Sequence, residues 1–575
     1  MLKTVVSQSS GNTVITGGSI DGTPIGATTP STGAFTTLTD TGLTSGRVTY
    51  AGTGGLLRDS ANLTFDGTTL TTANDAAVNG NTVGRGGGSQ SNNTVIGGSA
   101  LVSNTTGNSN FAGGAISLFS NRTGNNNVAI GQGSLAYNTV GGNQTAIGYA
   151  ALSVATTAVA TFGSITAGSG YTNGTYTGVA MSAVSGATFS TYPTVTVVVS
   201  GGVVSSVTLV TAGVGATTTA ATVLTVAAAL IGGTGSGFSI PVATFATAAN
   251  NTAIGFSALA ATTTGSSNTG VGYQALYANT TGSSNTGFGV NALYFNLTGS
   301  SNIAVGASAL NNNTTGSNST IVGFSAATTA TTAVGTFGAI TAGSGYTNGT
   351  YTAVAMTPVS GATFITYPTV TVVVAGGVVT TVTLVTAGVG ASTTAATVLT
   401  VAAALLGGTG SGFSIPVATF LTASLNTGMG SFTFNALTTG GSNTAIGYNS
   451  LGAITTGSSN TAVGLNSGNA LISGVNNLIL GYTAQASTTT TSNEITLGNS
   501  SITAFRIPGL TITGGAKWMN FGSSTVALLP AAATAGLGAR AFVTDALAPA
   551  FGSTVAGGGA VASPVYSDGT NWKVG

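Results

Sequence analysis

A seventeen-residue motif repeats along most of the chain with almost no change in spacing. One copy is Asn251-Thr252-Ala253-Ile254-Gly255, and the next is Asn268-Thr269-Gly270-Val271-Gly272. The closing glycines follow one another every 17 residues in three blocks: 97, 114, 131 and 148; 255, 272, 289, 306 and 323; 430, 447, 464, 481 and 498. So strict a period is typical of one supersecondary unit stacked on copies of itself.

The residue types within one repeat favour a β-solenoid. Thr and β-branched residues suit short strands, whereas Gly and Asn tolerate positive φ and mark corners. We therefore expect two short strands and two corners per coil, stacked about 4.8 Å apart. A helical repeat is disfavoured because Gly, Thr and Asn are poor helix formers. The sequence predicts an all-β, elongated β-solenoid, roughly 70 Å long over its fourteen coils.

Stacking should align like residues into columns that hold the coils together. One column precedes each glycine: Ile96, Ile130, Ile147, Ile254, Val271, Val305, Ile446, Val463, Leu480 and Leu497. A second column lies four residues after the glycine: Leu101, Leu118, Leu135, Leu152, Leu259, Leu276, Leu293, Leu310 and Leu451. We expect both to form the apolar core, and the Asn positions to form side-chain amide ladders. One coil cannot bury its apolar face alone, so only the stack is stable.

The blocks are separated by two similar insertions. Gly148 and Gly255 are 107 residues apart, as are Gly323 and Gly430, so each gap holds one coil and 90 further residues. In both insertions a Gly-Gly pair, at 201–202 and 376–377, separates two Val-rich runs, which predicts a tight hairpin. Solenoid insertions often carry the binding surface.

The predicted segments are small N-terminal β modules at 1–79, solenoid blocks at 80–157, 248–330 and 423–500, inserted β domains at 158–247 and 331–422, and a C-terminal β tip domain at 501–575. In the first segment, Asn62 to Leu70 predicts a hairpin across Asp66-Gly67.

Charge is nearly absent from the chain. Asp, Glu, Lys and Arg make up 3% of residues, and all of them lie at or before Arg122 or at or after Glu494. The net charge of +1 gives no electrostatic footprint for nucleic acid. The longest apolar run, near 223–231, is too short to span a bilayer, so we expect no membrane insertion. The N-terminus shows no apolar signal region, and we expect no secretory signal peptide.

The sequence offers little for catalysis. It contains no His and no Cys, which removes the usual general base, the thiol nucleophile and the commonest metal ligands. The acidic residues lie outside the insertions, and all but Glu494 lie outside the solenoid blocks; those before Gly are typical turn residues. We expect no enzyme activity, no cofactor and no metal, although a trimer could pair acids from different chains.

Six aromatic residues are candidate receptor contacts. Tyr171, Tyr176, Tyr346 and Tyr351 in the insertions could stack on sugar rings, the alternative being burial in the insertion cores. Near the C-terminus, Tyr566 and Trp572 could also contact a receptor, the alternative being packing between the subunits of a trimer.

The two ends and the repeat resemble known fibre proteins. The phrases at 20–26, at 62–70 and in Tyr566-Ser567-Asp568-Gly569-Thr570-Asn571-Trp572 resemble those of bacteriophage tail fibres. The Asn-Thr-Ala-Ile-Gly repeats resemble the left-handed β-roll heads of trimeric bacterial adhesins, which usually have slightly shorter coils. These resemblances imply a homotrimeric virion fibre, assembled in the host cytoplasm. Its N-terminal segment would bind other tail, baseplate or fibre proteins, and it would bind a host-surface glycan or protein.

Three other functions stay open. A bacterial trimeric surface adhesin would need a signal peptide and a membrane anchor, which we do not find in this sequence. An ice-binding solenoid would need a flat, regular Thr array, whereas the Thr-Gly-Ser corners are irregular. A tailspike polysaccharide depolymerase would need two carboxylates close together.

Overall fold

The computed structural model describes residues 43–51, 57–217, 219–392 and 396–502, and parts of the C-terminal region, namely 523–524, 529, 531–532, 540–547, 551–557, 559, 561–568 and 570–575. The fold is all-β and dominated by a β-solenoid of 17-residue coils. The chain divides into two compact units, Met1–Ser501 and Ile502–Gly575. The predicted strands before residue 43 lie outside the described residues.

The first described strands form a small sheet and a cap. Their bounds are β1 Arg47–Ala51, β2 Leu57–Phe65, β3 Leu70–Thr72, β4 Ala76–Val78 and β5 Asn81–Gly84. β2 and β3 form the predicted hairpin, in which Asp66 Oδ1 accepts from the amides of Thr68 and Thr69 at 2.8 and 2.7 Å. β4 and β5 pair antiparallel, and β5 pairs antiparallel with the first solenoid strand, which protects that edge of the stack. A 3₁₀ helix follows at Gly87–Ser89.

The first solenoid block contributes β6 Thr94–Gly97, β7 Phe111–Gly113, β8 Val128–Ile130 and β9 Thr145–Ile147, paired parallel.

The first insertion then leaves the solenoid. Its strands are β10 Thr157–Phe162, β11 Thr166–Tyr171, β12 Gly174–Ser185, β13 Thr194–Ser200, β14 Val203–Thr211, β15 Val223–Val226 and β16 Gly233–Thr247, with a 3₁₀ helix at Ala228–Leu230. They form one antiparallel sheet in the order β10-β16-β15-β12-β13-β14, with β11 also paired to β16. β13 and β14 form the predicted Gly-Gly hairpin.

The second block resumes the stack with β17 Thr252–Ile254, β18 Thr269–Val271, β19 Thr286–Phe288, β20 Ile303–Val305 and β21 Thr320–Val322. β17 pairs parallel with β9, residue for residue, so the coil register continues across the insertion.

The second insertion repeats the first. Its strands are β22 Thr332–Phe337, β23 Thr341–Tyr346, β24 Gly349–Ala355, β25 Thr357–Ser360, β26 Thr369–Ala375, β27 Val378–Thr386, β28 Val398–Thr400 and β29 Gly408–Thr422, with a 3₁₀ helix at Ala403–Leu406. They form the sheets β22-β29-β28-β25, with β23 on β29, and β24-β26-β27.

The third block completes a sheet of sixteen strands, counted from β4. Its strands are β30 Thr427–Met429, β31 Thr444–Ile446, β32 Thr461–Val463, β33 Leu478–Leu480 and β34 Ile495–Leu497. The C-terminal unit contains β35 Ser523–Ser524, β36 Arg540–Ala546, β37 Val561–Ser567 and β38 Trp572–Val574 in one sheet.

The solenoid core consists of the Leu column and of small residues at strand centres. The predicted leucines from Leu101 to Leu451 are buried, which confirms that column. Their partners are the central strand residues, Ala253 for example, which are also fully buried. The leucines have positive φ, 54° at Leu259, because the chain turns there. In the described coils this side is therefore a turn and not the second strand that we expected.

The predicted core column before each glycine is wrong. Ile96, Ile130, Ile254 and Ile446 are exposed to solvent. Each of these strands is about three residues long, and successive side chains point to opposite faces, so the central residue points inward and its two neighbours point outward. The narrow coil accommodates Ala at its centre.

The expected amide ladders are present and form two columns. The first amide column precedes each strand: Asn268 Nδ2 donates to Asn251 Oδ1 at 3.1 Å, and Asn285 Nδ2 donates to Asn268 Oδ1 at 3.1 Å. The second amide column lies seven residues after each glycine, where Asn296 Nδ2 donates to Asn279 Oδ1 at 2.8 Å. These side chains are buried, and the hydrogen bonds between them replace the hydrogen bonds with water that their amides lose.

Candidate functional site

The exposed column of apolar residues before each glycine is the first candidate interaction surface of the solenoid. We call it the outer apolar column. Its exposed members are Ile96, Ile130, Ile254, Phe288, Met429, Ile446, Val463 and Leu497, and Ile147, Val271, Val305, Val322 and Leu480 are half-buried. The column continues through all three blocks, with a gap at Gly113, because the strands keep one register.

A second, interrupted apolar column follows the glycines. Its gaps are Gly98, Ala115, Gln132, Ala307, Ser431 and Asn499. Its exposed members are Tyr149, Phe256, Tyr273, Val290, Phe324, Tyr448, Leu465 and Tyr482, and we call it the aromatic column. The Tyr149 and Phe256 rings stack at 5.2 Å, and those of Phe256 and Tyr273 at 5.3 Å, with planes 14° and 11° apart. Tyr149 and Phe256 stand on opposite sides of the first insertion in sequence, yet they occupy adjacent coils.

The glycine between the two columns lets the coils approach closely. Gly255 has φ 136°, and a Cβ there would lie 2.4 Å from the carbonyl oxygen of Gly272. The outer apolar column and the aromatic column flank this glycine corner, and we call the two columns together the apolar face. Monomeric soluble proteins rarely expose contiguous apolar patches larger than a few hundred Å².

Both insertions leave the coil on the side away from the apolar face. Thr157 stands nine residues after Gly148, and Thr247 stands eight residues before Gly255, which is halfway round a 17-residue coil. The two threonines are paired partners at the base of the insertion. Thr332 and Thr422 occupy the corresponding places in the second insertion and pair in the same way. The insertions therefore leave the apolar face uncovered.

Two of the candidate receptor contacts lie in the insertion cores. Tyr171 and Tyr346 are each only 7% exposed. The amides of Phe238 and Phe413 donate to their hydroxyl oxygens at 3.1 Å. The two rings fill the interior of the insertions and present almost no surface to a ligand.

The other two insertion tyrosines are half-buried. The Tyr176 hydroxyl donates to the carbonyl oxygen of Thr172 at 2.9 Å, and the Tyr351 hydroxyl donates to that of Thr347 at 2.8 Å. Part of each ring stays accessible, so these two residues remain candidate receptor contacts.

The C-terminal candidates sit on neighbouring strands. Tyr566 pairs with Lys573 across β37 and β38, and Trp572 pairs with Ser567. Both aromatic side chains are half-buried, and Trp572 packs against the small core around Val565.

The carboxylates of the described residues serve as backbone anchors. The amides of Asn571 and Thr570 donate to Asp568 and hold its pKa below the ordinary value. The amides of Thr69 and Thr68 have the same effect on the pKa of Asp66. An acid catalyst needs the opposite shift, a raised pKa. In the described parts of the chain, no cluster of three or more acidic, His or Cys side chains is placed to hold a metal.

Comparison of the chain with protein-family models, with curated proteins and with solved structures finds no match. Within the described residues, no helix is long and apolar enough to cross a membrane.

Proposed function

We propose that the chain is a structural fibre protein of a phage virion, a tail fibre. In this proposal the solenoid is a homotrimeric shaft that acts as a spacer. The N-terminal segment attaches to other tail or baseplate proteins. The insertions and the C-terminal unit contact a receptor on the host surface.

The apolar face is the observation that carries this proposal. It displays Ile, Val, Leu, Met and aromatic side chains over three blocks of coils. Burying apolar surface contributes about 25 cal/mol per Å², so a face of this length strongly favours association with other copies. The thin coils, most of whose central residues are Ala or Gly, have little private core, and a shared interface supplies the missing burial.

The position of the insertions supports an arrangement with an apolar centre and projecting binding domains. They leave the coil opposite the apolar face, so association across that face leaves them free to meet a host surface. No charged residue occurs between Arg122 and Glu494, so copies can pack along this stretch without desolvating ions.

Immunogold electron microscopy tests the virion assignment. Antibodies raised against the first insertion should label the tails of purified phage particles. Labelling of the bacterial envelope, with unlabelled particles, would favour the trimeric surface adhesin. Shortening of host polysaccharide by the purified chain would favour the tailspike depolymerase.

A further inference from the structure

A groove of about 310 Å³ lies on the last three described coils of the solenoid. One wall, which we call the polar row, consists of Ser459, Asn476 and Asn493. The other, the apolar row, consists of Thr461, Leu478 and Ile495, which begin the strands that Val463, Leu480 and Leu497 of the outer apolar column end, so the groove adjoins the apolar face. The buried Asn477 lies between the rows.

The polar row has unused hydrogen-bonding atoms. Asn476 Nδ2 donates to Asn493 Oδ1 at 2.8 Å, which fixes both amide planes. Within the described chain, Asn476 Oδ1 and Asn493 Nδ2 have no protein partner, so one acceptor and one donor stay available. Asn477 is already satisfied, because its Nδ2 donates to Asn460 Oδ1 at 2.9 Å. The groove thus has a fixed floor and a polar wall that can bind a ligand.

The spacing of the rows selects the kind of chain that fits. Both rows advance by one coil, about 4.8 Å, at each step. An extended peptide advances about 6.6 Å between side chains of the same face, so it loses step with the rows after one coil. A pyranose residue is about as long as one coil step. It also presents hydroxyls along its edge and C–H groups on its face, which match a polar row beside an apolar one.

The groove favours a ligand without charge. Its lining residues are all neutral. The carboxylate of Glu494, which follows Asn493 in the sequence, accepts from the Ser487 and Thr496 hydroxyls at 2.6 and 2.7 Å and is occupied there.

We infer that this groove binds a neutral oligosaccharide laid along the shaft. Its C–H faces lie on Leu478 and Ile495, and its hydroxyls meet the free amide atoms of Asn476 and Asn493. This inference rests on the proposed function, in which a host-surface glycan is the receptor.

The composition of the groove departs from the rest of the repeat. Equivalent pairs in other coils include Ser267 with Thr269, Ser284 with Thr286, and Ser442 with Thr444, whereas Ser109 and Ser301 precede the apolar Phe111 and Ile303. In the first block, Asn126 and Asn143 make a similar amide bond, but beside Val128 and Thr145, a less apolar wall. The pattern Ser-x-Thr is therefore tolerated by the coil and supplies a substitution that should preserve the fold.

The test converts the last two coils to that pattern in the full-length chain. The variant carries Asn476→Ser, Leu478→Thr, Asn493→Ser and Ile495→Thr. Calorimetric titration uses a panel of neutral hexasaccharides, including cellohexaose, maltohexaose and the N-acetylglucosamine hexamer. We expect at least one to bind the unmodified protein, and the variant to bind it about tenfold or more weakly, as the loss of two hydrogen bonds and an apolar contact implies.

The matched control carries Asn250→Ser and Asn318→Ser, at exposed sites of the same column with positive φ. It should bind as the unmodified protein does. Equal binding by the groove variant, or no binding by any neutral hexasaccharide, would overturn the inference. So would a changed mass of the groove variant in solution, because the groove would then be a contact between copies. Antibody labelling of virions does not depend on the groove. Labelled virions together with no sugar binding would therefore contradict the groove inference alone and not the proposed function.

Discussion

Buried asparagines carry much of the specificity of the coil, and the two amide columns differ in how they are replaced. The first column keeps Asn through most of the third block. In the second column, Asn279, Asn296 and Asn313 give way in the third block to Leu437, Ile454 and Leu471, which are fully buried. A whole column can therefore be apolar, whereas a single gap in an amide column leaves unpaired atoms.

This contrast predicts a non-additive set of substitutions. Asn296→Leu alone leaves Asn279 Oδ1 without its donor and removes the acceptor of Asn313 Nδ2. We expect a cost of about 1–3 kcal/mol for each unsatisfied group. The triple variant Asn279→Leu, Asn296→Leu and Asn313→Leu should cost less than three times the single variant. Urea unfolding midpoints measure both, and strictly additive losses would contradict the account.

Glu494 ends the first amide column and gives a pH-dependent effect. The Ser487 hydroxyl, and then that of Thr496, hold the pKa of Glu494 below its ordinary value of 4.5. A lowered pKa in the folded state stabilises the coil above about pH 4.5, and this stabilisation is lost as the pH falls through the folded pKa. Protection of the amides at 487–497 against hydrogen exchange should therefore fall below pH 4.5. In Glu494→Gln the protection should be the same on both sides of that pH; a fall of equal size would be inconsistent with this role.

The two insertions coincide with interruptions in both amide columns. In the coil that leads into the first insertion, Gln144 and Ala155 replace Asn in the first and second amide columns. Ser319 and Ala330 replace Asn in the coil that leads into the second insertion. Gln144 still bridges the gap, because Asn251 Nδ2 donates to its Oε1 at 3.3 Å. The backbone pairing of β9 with β17 and of β21 with β30 carries the stack across.

Removing an insertion should therefore leave the solenoid intact. Deleting residues 158–247 joins Thr157 to Ala248 and restores a 17-residue coil between Gly148 and Gly255. We expect a soluble protein with the same number of subunits and an unchanged solenoid, measured by circular dichroism and light scattering. Deleting 158–246 leaves an 18-residue coil and should be less stable. Loss of soluble assembly in the first deletion alone would contradict the insertion model.

The repeat period of the sequence predicted which positions stack on one another, but it did not predict which side chains point into the coil. The 17-residue spacing was enough to place the Leu column, the amide columns and the corners. It could not tell which apolar residue of Ala253-Ile254 faces inward, because both are apolar. The small size of the central residue, Ala or Gly in most coils, was the available signal. Nor could it show that Tyr171 is buried while Tyr176 is half-buried, since strand pairing within the insertion decides that.

The proposed fibre requires that other copies of the chain cover the apolar face. In a single chain Ile254 and Phe288 are already exposed, at 38% and 55%, so charge there costs an isolated chain little. The variant Ile254→Asp with Phe288→Asp should reduce the mass in solution to that of one chain. The control Thr264→Asp with Thr281→Asp lies on the side of the insertions and should leave the mass unchanged. If the two variants have the same mass, the apolar face is not the interface.

The most direct measurement is the mass of the unmodified full-length protein in solution, by analytical ultracentrifugation. One chain has a mass of 54.9 kDa. The account predicts a single species of three times that mass that persists at high salt, because the interface contains no ion pairs to screen. A stable species of 54.9 kDa would show that the apolar face stays open to water and would contradict the central claim.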